Sequence, residues 1–370
     1  MIFKTFDVTD VVAGRISPVS TGLWSDGETE WTTFFTSSAQ TADSASAFEP
    51  LNGLYYTNVY DYPTGSASAD IYFALSYGHY AGSGSSTFDT SSQGSLLYPT
   101  KAIYNQYRNL LLTPGDKLFS FATASVGTNN GTIDSEDIYA INFKADKVKD
   151  RLDPGQFEIT LNGATRNLTL IDDSKDNPNT GISTGGRRYN LIRGTLSGGA
   201  VLSNNYEGFG SMYPDLGIVV LNPTKISTAI GAIDGRNLND PTGSWGGEFA
   251  HMSELLFQSI KVGALSPSGS MKARVTEYVP ARHFFVRVKN QEFNYSNNPT
   301  FVISQQDDTD ASSQDIGKLR FADFATDPKV YITAVGLYNE SNDLVAVAKL
   351  SQPALKDFTN ELLIKIRLDF

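Results

Sequence analysis

Three histidines, His79, His251 and His283, and no cysteine make up the chain's whole stock of imidazole and thiol chemistry. Thiolate metal sites, cysteine nucleophiles and disulfides are excluded together. His251 follows Glu248 at the Glu-x-x-His spacing of a helix-borne carboxylate–histidine pair. A di-iron bundle needs two such pairs and two further Glu on four helices, and the second pair is missing. His251 reads as a partly buried helix residue. His79 stands beside a glycine-rich loop and His283 opens a strand, each without neighbouring residues to complete a metal's ligand set. Gly181-Ile-Ser-Thr-Gly185 has the spacing of a nucleophile elbow, which needs a strand before the serine and a helix after it. Polar residues 172–179 precede it and Gly186-Arg-Arg-Tyr189 follows, so the segment reads as a polar loop.

Asp172, Ser174 and Asp176, and Asp308 with Asp310, have calcium-loop spacing. Both groups lack the loop glycine and the terminal bidentate glutamate. The run Gly78 to Gly84 has no Lys-Ser/Thr after it, and Gly317-Lys318 has none either, so neither is a phosphate cradle. Arg187, Arg188 and Arg193 form the only basic cluster and read as a salt-bridge or subunit contact. A glycosidase carboxylate pair is defined by separation in space, and nothing in the sequence singles one out. The expectation is a protein with no catalytic residues, no cofactor and no metal.

The elements that would carry any site are mostly strands. The chain has 370 residues, 40% of them hydrophobic and 12% aromatic, enough for a sizeable core. A net charge of -11 disfavours nucleic-acid and anionic-membrane partners. The first ten residues lack the apolar stretch of an export signal, and the longest apolar runs, such as Leu216 to Leu221, are too short to span a bilayer. Period-two alternation or β-former enrichment marks strands near residues 32–38, 53–60, 69–78, 138–143, 156–161, 283–288, 330–338, 344–350 and 362–370. Asn162-Gly163 and the run 339–343 read as turns. The spacing of Ile103, Tyr107, Leu110 and Leu111 predicts a helix over 99–112, closed by Pro114-Gly115. Phe249, Met252, Leu256 and Ile260 predict another over 248–261. The fold expected is mainly β, of several antiparallel sheets or a sandwich with a few short α-helices. It divides into an extended N-terminal arm (1–68), a β-rich middle domain (69–265) and a C-terminal antiparallel β domain (266–370).

Four phrases carry a family resemblance. They are Asp10-Val-Val-Ala-Gly-Arg-Ile-Ser-Pro-Val-Ser20, Gly53-Leu-Tyr-Tyr-Thr-Asn-Val-Tyr60, residues 76–85 with 99–108, and residues 331–350 leading to the apolar C-terminal strand. Together they resemble the virion structural proteins of large contractile-tailed phages, especially those of marine cyanobacteria, and within that group are similar to baseplate wedge components. The resemblance transfers no active-site residue. It implies a non-enzymatic bracket in the virion tail baseplate, a homo-oligomer within a symmetric assembly, joined to other baseplate and tail proteins, that takes part in the switch to sheath contraction. A fibre connector, a receptor-binding protein and a neck or collar component are the alternatives within the same particle. Tyr55, Tyr56 and Tyr60 are the expected interface anchors, because tyrosine contributes contact area at little entropic cost.

Overall fold

A computed structural model describes residues 4–15, 18–36, 55–63, 65–85, 98–122, 131–164, 166–176, 182–200, 207–233, 235–241, 244–245, 248–249, 252–260, 269–295, 299–303 and 315–369. The fold is mainly β, in several antiparallel sheets with, among the described residues, five short α-helices, as the alternation implies. Two compact units emerge, residues 18–277 and residues 1–17 with 278–370. These bounds differ from the three sequence segments because strand pairing ignores chain order. Val11–Arg15 pairs with Pro280–Val288, whereas Val19–Gly22 pairs with Arg274–Glu277 and Glu30–Trp31 with Ser270–Lys272. The described part of the expected arm is therefore built into sheets.

The larger unit is organised by a sheet whose main path runs Glu30–Trp31, Ser270–Lys272, Glu158–Asn162, Asn167–Asp172, Tyr189–Thr195, Gly208–Tyr213, Ile218–Leu221, Asp137–Phe143, Ile71–His79 and Tyr56–Tyr60. Its two ends meet through one short piece of chain. Trp31 pairs with Met271 at the first edge, and Phe35 exchanges both backbone hydrogen bonds with Tyr60 at the last. The intervening residues 32–34 reach only about 14 Å even when extended, so the sheet must curl. Trp24, Phe34, Tyr72 and Phe73 pack ring against ring at this closure.

Alternation sorts the strands' side chains onto two cores. Tyr139, Ile141, Phe143, Val219 and Leu221 enter the larger one, while Ile138, Ile218 and Val220 enter a second on the opposite face. Both faces are covered, so these strands read as continuous apolar runs. The helix Met252–Ile260 packs on three strands, Ile71–His79, Glu158–Asn162 and Tyr56–Tyr60, and all of its residues except Gln258 are buried. It begins later than the periodicity implied, because Glu248–Phe249 instead pairs with Ser244–Trp245. On the opposite face lies the helix Pro99–Leu111, which buries Thr100, Tyr104 and Leu111 and leaves Leu110 exposed. Its buried stripe is thus rotated from the one expected.

In the smaller unit Pro280–Val288 is flanked by Val11–Arg15 and Leu362–Asp369. Val330–Tyr338 and Leu344–Lys356 form a hairpin. Phe284, Val286, Ile364 and Ile366 from the first sheet share one apolar cluster with Ile332, Val335, Leu337, Ala346 and Ala348 from the hairpin. That is a two-layer sandwich.

Candidate interaction surface

The hairpin Val330–Tyr338/Leu344–Lys356 turns its small residues inward. Ala346 and Ala348 lie in the sandwich cluster, while Val345 and Val347 are 66% and 59% exposed. A solvated strand ordinarily shows polar side chains on that face. Gly336 lies opposite Val347, and a Cβ there would stand 3.0 Å from the Tyr338 ring and 3.1 Å from Leu344 Cδ1. The missing side chain lets Tyr338 and Leu344 close over the strand, making one apolar patch with Val347. Val345 is the extra residue at a register shift, since Leu337 pairs with Ala346 and Tyr338 with Leu344. Contiguous exposed apolar surface of this kind marks an interaction site.

Tyr56 and Tyr60 lie on one face of Tyr56–Tyr60, Tyr56 exposed and Tyr60 half-buried. The other face is fixed inward by Val59, fully buried, and by Thr57, whose hydroxyl donates to Ser253 Oγ at 3.0 Å. Tyr55 precedes the strand and is half-buried. The sequence placed these three tyrosines in a strand but gave no sign of the hairpin patch. Leu-Val-Ala-Val-Ala is apolar at every position, so alternation does not reveal which face is wet. The contrast of branched outside and alanine inside is the one signal available.

Most of the described residues with catalytic or ligand spacing are engaged in structural contacts. Ser183 belongs to a tight hairpin, Ile182–Ser183 with Gly186–Arg187, which lacks the helix an elbow needs. Asp172 accepts from the amides of Gly155 (2.7 Å) and Ser174 (3.2 Å) and from the Ser174 hydroxyl, tying the 153–157 turn to its own. Asp308, Asp310 and His251 lie outside the described residues. His79 Nδ1 accepts from the Ala81 amide at 3.1 Å, and burial lowers its pKa, keeping the ring neutral. His283 lies half-buried between Val12 and Arg367. Arg187 pairs with Asp215 at 3.2 Å, Arg188 donates to the Ser120 carbonyl at 2.7 Å, and Arg193 lies over the Phe209 ring. The glycine run serves packing: a Cβ on Gly78 would meet the Tyr104 backbone nitrogen at 2.8 Å, and one on Gly82 the Tyr98 ring at 2.6 Å. Among the described residues, no three His, Asp or Glu converge as a metal site, and no helix is long and apolar enough to cross a membrane.

Comparison with protein-family models, curated proteins and solved structures finds no match to this chain.

Proposed function

We propose that this chain is a structural subunit of a phage contractile-tail baseplate, a wedge-type bracket that works by assembly. The observation that carries the reading is the apolar outer face of the C-terminal hairpin, Tyr338, Leu344, Val345 and Val347, on a sandwich whose inner face is already filled. A face of this kind is suited to burial against a neighbouring subunit. Residues 331–350, which carry part of the resemblance to virion proteins, build it. Tyr56 and Tyr60 supply a second outward aromatic face on the larger unit.

The test is incorporation into particles. A Val345→Asp/Val347→Asp chain is expected to fold with an unchanged unfolding midpoint, because both side chains are solvent-facing, and to be lost from purified tails. An antibody to the hairpin should label disrupted tails at the baseplate end. A folded double variant that incorporates normally would remove the hairpin from the interface, and absence of the wild-type chain from particles would remove the virion reading. Tyr56→Ala is expected to be equally neutral for folding and to weaken incorporation.

A further inference from the structure

Leu344–Lys356 opens with Leu-Val-Ala-Val-Ala, apolar at every position. Elsewhere in this chain that pattern belongs to strands covered on both faces, as in residues 138–141 and Ile218–Leu221. Leu362–Asp369, with one face in the sandwich, instead places Lys365 and Arg367 on its other face. Ala346 and Ala348 fill the inner side of the hairpin, while Leu344, Val345 and Val347 stand exposed. The strand is thus composed for a second cover that its outer face does not have.

The hairpin also restricts what that cover can be. Register shifts fall between Ile332 and Ala334 and between Leu337 and Tyr338, and Pro353 interrupts the donors of the second strand. Such edges are poor templates for an added strand, which leaves the face as the surface to be met. Charges stand at both ends of that face. Glu340 and Asp343 are exposed in the turn, and Asp343 is bonded to the uncharged side chain of Asn339. Lys349, exposed at the other end, lies across the hairpin from Ala334, so no acid faces it in the register.

The arrangement is symmetric about Ala346. Val345 and Val347 lie one residue to either side, and Asp343 and Lys349 lie three. At about 3.3 Å per residue the two charges stand about 10 Å from the centre, in opposite directions. A two-fold axis at Ala346, lying between two such faces and perpendicular to their strands, sets Val345 on Val347 and Asp343 on Lys349, each contact twice. An unrelated protein has no reason to match a spacing that is symmetric within this chain.

We propose that the outer face of the hairpin binds a second copy of the same chain, hairpin on hairpin with strands antiparallel, in an isologous dimer. The inference rests on the assembly reading above and names the neighbour that covers its apolar face. Val345 and Val347 form the dry centre, and the two Asp343–Lys349 pairs lie at the rim, where they fix the register.

Light scattering on the purified full chain, eluted over a range of micromolar concentrations, tests this. A dimer is expected, and Val345→Asp/Val347→Asp is expected to be monomeric. Asp343→Lys and Lys349→Asp should each raise the dissociation constant about tenfold, because either one places like charges together at both rims. Combining the two reversals in one chain should restore the dimer, since each pair is then remade with its signs exchanged. A wild-type chain that stays monomeric, a dimer indifferent to Val345 and Val347, or a double reversal no better than the single ones would overturn the proposal. Should the variants not fold, wild-type chains decide: unlabelled and ¹⁵N-labelled protein are mixed and coupled with a carbodiimide. A peptide joining Asp343 of one isotope to Lys349 of the other is expected, and its absence overturns the assignment. Failure here is separable from failure of the virion reading. A monomer that still enters tails defeats the dimer alone, and a dimer absent from tails defeats the bracket alone.

Discussion

Lys356 has no exposed surface, yet its ammonium donates to three uncharged oxygens, Asn290 O at 2.8 Å, Asn294 Oδ1 at 2.6 Å and Asp357 O at 2.6 Å. All three N–H groups are used, and each acceptor belongs to a loop bordering the sandwich. Lys356→Met keeps the apolar stem and orphans the three oxygens, so the smaller unit should lose about 2–4 kcal/mol in urea unfolding. Asp137 gives the opposite sign. As pH rises from 3.8 towards about 6 the unfolded chain releases this proton while the native chain keeps it, so stability falls across that window and then levels. Asp137→Asn removes the loss: the variant should be more stable than wild type by about 2 kcal/mol at pH 7 and close to it near pH 4, by denaturant midpoints. Asp70 runs the other way. Lys147 and Lys144 hold its pKa down to about 2, so its modest stabilisation is present above 3.8 and lost as pH falls. None of the three roles was legible in the sequence: Lys356 and Asp70 depend on partners distant in the chain, and Asp137 on a burial that local spacing does not reveal.

The elements were more legible where one period dominated. Leu362–Asp369 alternates cleanly because one face meets the sandwich core and the other carries Lys365 and Arg367. The helix Pro99–Leu111 was readable from the spacing of Ile103, Tyr107, Leu110 and Leu111, although its buried side is the one that carries Thr100, Tyr104 and Leu111. Pro223–Ile230 carried its own start signal, Asn222 capping the Lys225 amide with proline at the first helical position, which apolar spacing alone passed over. The curl of the large sheet was hidden for a different reason, since it rests on Trp31 and Phe35 pairing with strands remote in sequence. The glycine run shows what composition leaves open: the sequence excluded a phosphate cradle without giving the run a role, and Gly78 lets a helix backbone touch a strand. Gly78→Ala should cost about 2–3 kcal/mol and perturb the Tyr104 environment by fluorescence or NMR, because neither backbone can yield easily. Gly115→Ala, with open space around its Cβ, is the neutral control.

On the molecular scale, removing residues 1–65 takes three edge strands, Val19–Gly22, Glu30–Trp31 and Tyr56–Tyr60, and the Trp24 and Phe34 rings out of the larger unit. Such a truncation is expected to misfold rather than to release an arm, so point substitutions are the sharper probe of assembly. A fragment spanning 18–277 keeps every strand of the curled sheet and should unfold cooperatively by circular dichroism. The three expected segments missed this division because hydrophobic patterning reports burial, while unit boundaries follow from which strands choose one another.

The pairing of Val11–Arg15 with Pro280–Val288 also sets an order of events during synthesis. The first strand leaves the ribosome long before its neighbour exists and must wait, unpaired, while the whole of 18–277 emerges. The intervening unit can complete itself meanwhile, which shortens the effective loop that the late pairing has to close. The sandwich bearing the apolar hairpin therefore forms after residues 18–277, and nascent chains do not display that adhesive face in its folded setting until Leu362–Asp369 has been made.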